Sequence, residues 1–426
     1  MKHSFVGIDF GTTNSAVAVA GADGPARLTP LPGPGGEAAT TWRTVLFFEP
    51  GAAARGGAPA IERYLECEGD GRLVQSIKSH LSSATFSRTQ IAGRTYALEE
   101  LVALFLRQLR AAAAAAGDDL GERAVIGRPV RYWGAQGPED EERALARMRV
   151  AVKAAGFADV VFEYEPAAAA ARYAESLDHD ETVLVADFGG GTSDFTLVRL
   201  GPGRVIGEPG TVLGTGGVGI GGDSFDARVI DAVVAPALGR GTSYRDEMGA
   251  VTEVPLWPYS KLRRWHHLSF LKAPETMRLL ERVARGALEP ERYGRLVRTV
   301  EDDLGLPMHQ AVERVKIALS RAGGAGVAGD LEIDQLEVSA RVERSSFEAW
   351  IAEELAAIDE VVSGVLAQAG AAPGDVDRVF ATGGSSLVPA VRARLAARFG
   401  EAKVVGGDEL TSVATGLALR ARSLFA

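Results

Sequence analysis

The sequence predicts an α/β protein of two similar lobes, and three observations predict it. One hairpin design occurs twice: SFVGIDF, Gly11-Thr12-Thr13-Asn14 and SAVAVA within residues 4–20, then VLVADF, Gly189-Gly190-Gly191-Thr192-Ser193 and DFTLVRL within residues 183–200. Each copy joins two β-rich runs through a polar, glycine-containing turn. Asp-Phe-Gly opens both turns, at Asp9 and at Asp187, and a design repeated far apart in sequence marks an internal duplication. Amphipathic helical patterns follow the strands. At 426 residues the chain also exceeds the size at which one hydrophobic core keeps growing.

Taken in order, the Gly/Pro-rich stretches 21–36 and 50–59 read as loops. Residues 98–116 place Leu101, Leu104, Phe105 and Leu109 at helical spacing and stop at Gly117. Pro138 suits the first turn of a helix over 138–155. Glu139, Asp140, Glu141 and Glu142 favour the positive end of its dipole, and Gly156 ends it. A strand near 159–163 leads into a helix opening at Glu165-Pro166. The interval 227–320 reads as mostly helical and Arg-rich. Strand-like alternation over 331–343, a helix over 346–369 and a strand over 376–382 follow. A helix over 387–399, capped by Ser385 and Ser386, and a last helix over 411–424 complete the pattern.

Hydrophobic residues make up 46% and charged residues 24% of the chain, with a formal net charge of -10. That balance disfavours nucleic acid or an anionic membrane as a partner. The lone cysteine, Cys67, rules out an internal disulfide and a cysteine-rich zinc site, which permits a reducing compartment. Asp9 and the polar Thr12–Ser15 interrupt the apolar N-terminal region, against a signal peptide. No uncharged apolar run reaches the length of a membrane-spanning helix.

Glycine-rich turns expose backbone N–H groups that cradle phosphates. The two turns would do so from opposite sides, with the carboxylates of Asp9, Asp187 and Asp194 at or beside them. Carboxylates next to a polyphosphate need a hard cation between, and Mg²⁺ suits that role while keeping several waters. No G-x-x-x-x-G-K-[ST] is present, so a P-loop is excluded. Gly214-Thr215-Gly216-Gly217-Val218-Gly219 fits G-x-G-x-x-G, but no obvious helix of a βαβ unit follows it.

GIDFGTTNS (7–15) resembles the first phosphate motif of DnaK-type heat-shock chaperones, and VADFGGGTSDFTLV (185–198) the second. EYEPAAAAARYA (163–174) resembles their first connecting motif and FATGGSSLVPAVRARL (380–395) their adenosine motif. GIGGDSFD (219–226) and ERVKIALS (313–320) match in the right order. The likeness covers nearly the whole chain, and the enlarged helical interval is similar to that of the YegD-like branch. The resemblance implies an actin-like ATPase fold: two ribonuclease-H-like lobes around a nucleotide cleft. The first lobe would be 1–176, completed by 400–426. The second would be 177–399, with a helical insertion at 227–320. It further implies a cytoplasmic, Mg-dependent, ATP-binding and ATP-hydrolysing chaperone-like protein. ATP or ADP and Mg²⁺ would be its cofactors, and unfolded clients or co-chaperones its partners.

Carried over by position, Gly11, Thr12, Thr13 and Asn14, Gly189, Gly190 and Gly191, and Gly221 and Gly222 would bind phosphates. Lys78, Glu165, Asp187 and Thr192 would be catalytic. Lys78 would position the attacking water, Asp187 would polarise it and Thr192 would bond the γ-phosphate. Asp9, Asp187 and Asp194 would reach Mg²⁺ mainly through water. Glu313, Lys316, Ile317 and Ser320 with Gly383, Gly384, Ser385 and Leu387 would hold adenosine. Ile317 and Leu387 depart from the family's pattern, which places arginines there. Losing that cation–π attraction predicts nucleotide binding weaker by about tenfold.

With Ala426 just after the last helix, the resemblance leads to the expectation of a nucleotide-binding part without the family's hydrophobic linker and peptide-binding domain. The segment LWPYSKLRRWHHLSFL (256–271) reads as a helical cap on the second lobe or as a docking surface, and adjacent His266 and His267 do not converge on a metal. Two other functions fit the same superfold: a small-molecule kinase of the sugar-kinase type, for which no catalytic base beside a polar pocket is evident, and a nucleotide-dependent scaffold or filament protein.

Overall fold

A computed structural model describes residues 4–67, 71–174, 177–202, 211–264, 271–321, 326–406 and 412–426. The expected lobe boundary at residue 176, the first residue of the expected last helix, Thr411, and Trp265, His266 and His267 all lie outside the described residues. The chain forms two compact units: Met1–Gly222 with Leu355–Ala426, and Asp223–Glu354.

The first unit holds two sheets of matching plan. In one, the hairpin Phe5–Phe10 and Asn14–Ala20 extends on one side through the short antiparallel strand Arg27–Leu28. On the other side come the parallel strands Arg123–Arg128 and Asp159–Tyr164. In the other, the hairpin Glu181–Phe188 and Ser193–Leu200 extends through antiparallel Val212–Val218 and through parallel Arg378–Thr382 and Val404–Gly406. The registers agree too: Phe10 faces Ser15 across the first turn, and Phe188 faces Ser193 across the second.

The residues explain the layers. In SAVAVA the valines and alanines alternate, so the strand presents two different faces. Val17 and Val19 join Phe10, Leu101, Phe105 and Leu106 in a core shared with the helices Leu98–Ala115 and Pro138–Ala154. Ala16, Ala18 and Ala20 pack instead with Ala414 and Ala418 of the C-terminal helix Ser412–Phe425. Small side chains on that face let the helix lie close. Gly7, paired with Ala18, shares it, and a Cβ there would overlap the backbone of Ala414 and Ala418. The same helix crosses Glu165–Ala174 backbone to backbone, since a Cβ on Gly416 would collide with the Ala168 carbonyl. Val125, Val183, Val185, Val198, Phe380 and Leu417 fill the core around this crossing. Each such buried side chain contributes about 1.5–3 kcal/mol.

The glycine run at 214–219 belongs to the strand Val212–Val218, not to a dinucleotide loop. A Cβ on Gly214 would approach the Val365 carbonyl to 2.5 Å, and one on Gly216 the Val365 side chain to 2.8 Å. Glycine is used here so that a helix can lie on the sheet.

The second unit starts at Asp223, inside the helical stretch that runs from 222 to 237, and contains Trp257–Leu262, Pro274–Gly286, Pro290–Glu301 and Gly305–Ser320. The expectation of a mostly helical interval 227–320 needs one correction. Ser243–Arg245 and Val251–Glu253 form a β-hairpin. Asp246 closes its turn by accepting from the Met248 and Ala250 amides, with Gly249 at φ 86, a side-chain turn that competes with helix. A second hairpin pairs Ala328–Ile333 with Val338–Glu343.

Three smaller readings also change. The helix expected over 346–369 is two helices, Arg344–Trp350 and Ala352–Gln368. A helix over Ala58–Glu66 enters the stretch read as a loop, with Pro59 in its first turn. Ser385 and Ser386 do not cap the next helix, which starts at Pro389; their hydroxyls donate to the carbonyls of Gly189 and Gly383. Among the described residues no helix is long and apolar enough to cross a membrane.

Candidate functional site

Both repeated turns lie in the first unit, and Thr12 and Thr192 line one small cavity together with Lys78, Tyr132 and Trp133. Gly191 faces Thr12 across it, close enough that a Cβ on the glycine would touch the threonine side chain at 3.5 Å. In the first turn a Cβ on Gly11 would overlap the Asn14 carbonyl, so only glycine folds back so tightly. Thr13 anchors the turn by accepting from the Thr44 amide at 2.9 Å. In the second turn the Gly189 amide donates to the Thr192 carbonyl at 2.9 Å.

Two further glycine segments brace the second turn. The Gly222 amide donates to the Gly189 carbonyl at 3.0 Å, and a Cβ on Gly221 would lie 2.5 Å from the Gly190 carbonyl. Gly383, at φ 83, packs on Phe188 and Asp187, and Ser385 Oγ donates to the Gly189 carbonyl at 3.2 Å. The chain segment expected at adenosine therefore holds the second turn in shape. Leu387 stands at the end of this segment, 48% exposed. The other expected adenosine residues, Glu313, Lys316, Ile317 and Ser320, lie on the helix Gly305–Ser320 of the second unit. There Lys316 Nζ donates to Asp226 Oδ2 at 2.7 Å, Ser320 Oγ donates to the Lys316 carbonyl at 2.8 Å, and Ile317 is 51% exposed.

Lys78 stands on the single turn Ile77–His80 and donates to Glu165 Oε1 at 2.6 Å, both side chains buried. Glu165 opens the helix Glu165–Ala174 directly after the strand Asp159–Tyr164. Burial alone would push the Lys78 ammonium down, but the carboxylates of Glu165 and Asp9 outweigh it and hold the ammonium above its ordinary value. The aspartates move the opposite way. Burial, then Glu165 and Asp187, push Asp9 up to about 8, with Lys78 opposing. Burial, then Glu165 and Asp194, push Asp187 up to about 8. Burial and Glu165 push Asp194 up to about 7, although the Thr192 hydroxyl, 2.9 Å from its Oδ2, favours the charged form.

Four crowded carboxyl groups, Asp9, Glu165, Asp187 and Asp194, share a single lysine. Asp194 Oδ1 is buried with no hydrogen-bond partner among the described residues. All the donors are oxygens, the chemistry of a hard hydrated cation. Among the described residues no three His, Cys, Asp or Glu side chains form a direct ligand set.

Pro129, Tyr132 and Trp133 line the cavity although sequence reasoning did not select them. They sit in the loop leaving the carboxyl end of the strand Arg123–Arg128, where parallel sheets place their ligands. That strand was the available signal, and it too was missed. Tyr132 is buried, and burial pushes its hydroxyl up to about 12.

The family model described as Hsp70 protein matches residues 71–242 and 301–425, more than half of the chain. The chain belongs to the Hsp70 family. The Hsp70-family chain thus has the actin-like ATPase fold, and its two sheets, which share a five-strand order with Trp42–Arg43 as a sixth strand on the first, are the two ribonuclease-H-like sheets expected of it. Residues 243–300, with the unexpected hairpin, fall between the two matched stretches. The chain is 27% identical to the chaperone protein DnaK of Thermosipho melanesiensis, over 99% of this chain and 60% of that one. It is 26% identical to the DnaK of Thermosipho africanus (99% and 59%) and 27% identical to that of Thermotoga maritima (99% and 60%). The chain spans about 60% of the length of these relatives.

Proposed function

We propose that this Hsp70-family chain binds ATP and ADP with Mg²⁺ in the cytoplasm and hydrolyses ATP slowly, as a chaperone-like protein acting with unfolded clients or co-chaperones. The observation that carries the reading is the buried Lys78–Glu165 pair at 2.6 Å, opening on the same small cavity as Thr12 and Thr192 of the two turns. Phosphoryl transfer needs little covalent chemistry from protein; positioning and charge supply most of the barrier lowering.

In this reading the amides of Gly11–Asn14 and Gly189–Gly191 cradle phosphates, with Gly221 and Gly222 supporting the second cradle. Lys78, kept charged by Glu165, holds the attacking water beside the γ-phosphate and offsets charge that develops there. Thr192 donates to a γ-phosphate oxygen. Asp187 helps to polarise that water. Asp9, Asp187 and Asp194 hold Mg²⁺ through water, and the ion neutralises phosphate charge. The two lobes keep the limits 1–176 with 400–426, and 177–399. The adenosine roles of Glu313, Lys316, Ile317, Ser320, Gly383, Gly384, Ser385 and Leu387 rest on the family likeness.

A steady-state ATPase assay with and without unfolded protein tests the proposal. Turnover that requires Mg²⁺ and responds to unfolded protein supports it. Phosphate transfer to a sugar, or nucleotide-driven sedimentation without turnover, would replace it by a kinase or a filament.

A further inference from the structure

We propose that Arg147 is a positioning residue for Lys78, acting through the backbone of the turn that carries the lysine; this deepens the hydrolytic reading and rests on it. Lys78 lies on one 3₁₀ turn, Ile77–His80, entered through Ser76 at φ 52. Local amides serve the turn's own carbonyls, that of Leu81 donating to Lys78 at 3.2 Å and that of Ser83 to His80 at 3.1 Å, which leaves the carbonyls that follow, Leu81 to Ser83, to partners outside it. A non-glycine residue in the left-handed region stays there only when its surroundings hold it. Residues beyond the turn must therefore supply the donors.

The helix Pro138–Ala154 supplies them. Arg147 Nη1 lies 3.4 Å from the His80 carbonyl, 2.7 Å from that of Leu81 and 2.9 Å from that of Ser83. Arg143, one turn earlier on the same face, covers the remaining carbonyl, Ser82, at 2.8 Å, while Asp140 holds it at 2.5 Å. Four successive carbonyls, 80 to 83, are thus bound by two guanidinium groups. Ser82 Oγ donates in turn to the Trp133 carbonyl at 2.6 Å, tying the turn to the cavity wall. Arg147 makes no ion pair with a carboxylate among the described residues; its donors go to backbone. All three contacts converge on the single atom Nη1, at a point that a lysine ammonium, one bond shorter in reach, would not occupy. Without it the turn has no other fixed donor from this helix at Leu81 or Ser83, and Lys78 swings with its backbone.

The test compares Arg147→Met and Arg147→Lys with Arg110→Met. Arg110 also binds carbonyls, those of Ala155, Gly156 and Gly121, but none in the lysine turn. Each variant is measured for Mg-ATP affinity by calorimetry, single-turnover hydrolysis, melting temperature and amide exchange over residues 77–83. Arg147→Met is expected to slow the single turnover about 10- to 100-fold, the scale of a small misplacement, with affinity changed less than about threefold and faster exchange at 77–83. Arg147→Lys, which keeps the charge and folds more readily, is expected to lose rate in the same direction. Arg110→Met is expected to lower melting temperature while keeping the rate. A wild-type rate in both Arg147 variants overturns the proposal, as does an equal rate loss in Arg110→Met or a loss explained by affinity alone. A wild-type chain that binds Mg-ATP but never turns it over overturns the hydrolytic reading itself, a different result from an active wild type with active variants.

Discussion

Lys78 and Glu165 decide each other's value. Removing the ammonium in Lys78→Ala is expected to lower turnover about 100-fold or more while nucleotide affinity changes little, the pattern of a group that acts in the transition state. Because Glu165 then stays buried without its partner, the melting temperature also falls; breaking a buried pair costs about 3–5 kcal/mol. A calorimetric titration beside a rate measurement checks both. The aspartates give a pH prediction. Asp9, Asp187 and Asp194 rise from 3.8 to about 8, 8 and 7. The folded protein therefore keeps protons that the unfolded chain has already released. Stability is greatest below about pH 4 on this account and falls as pH rises to about 8. Melting curves of the nucleotide-free protein should decline across that window, and Mg-ATP should flatten the decline. Ile317→Arg should tighten ATP binding by up to about tenfold by restoring a cation beside the purine; unchanged affinity would separate that position from adenine.

At the scale of elements, glycine carries the close approaches. Gly416 lies on the Ala168 backbone where two helices cross. Gly416→Val should destabilise the protein by about 1–3 kcal/mol or more through overpacking, read as a lower melting temperature, whereas a valine at half-buried Gly294, which has open space around it, should cost little, since valine is no poorer a helix former than glycine. The same chemistry explains what could be read beforehand. Both turns were legible because a tight turn needs Gly in a fixed place and polar groups beside it, whereas Lys78 and Glu165 were placed only by the family resemblance. Tyr132 and Trp133 were not, since only the tertiary course of Arg123–Arg128 brings that loop to the cavity. The cap assigned to Ser385 and Ser386 failed because Pro389 starts the helix later and nearer carbonyls compete for the hydroxyls. The hairpin at 243–253 was hidden in an interval whose charged residues suit helices, although Asp246 and Gly249 mark its turn.

For the whole molecule, ligand linkage gives a direct check. Mg-ATP at about 100 times its dissociation constant should stabilise the protein by about 2.7 kcal/mol, a rise in melting temperature that a chelator reverses and that Asp9→Ala diminishes. The duplicated sheet plan was visible in two short hairpins, yet the copies are not equivalent. Asp9 faces Ala16, whereas Asp187 faces Asp194 in the same register. One half therefore meets its surroundings with amides and hydroxyls, and the other adds a second acid at the matching place. A scaffold that repeats itself has acquired a handed charge pattern, so a polyphosphate laid along it would have a front and a back. Placing an acid at Ala16 to restore the symmetry would put it among Ala18, Ala414 and Ala418, where nothing could solvate it.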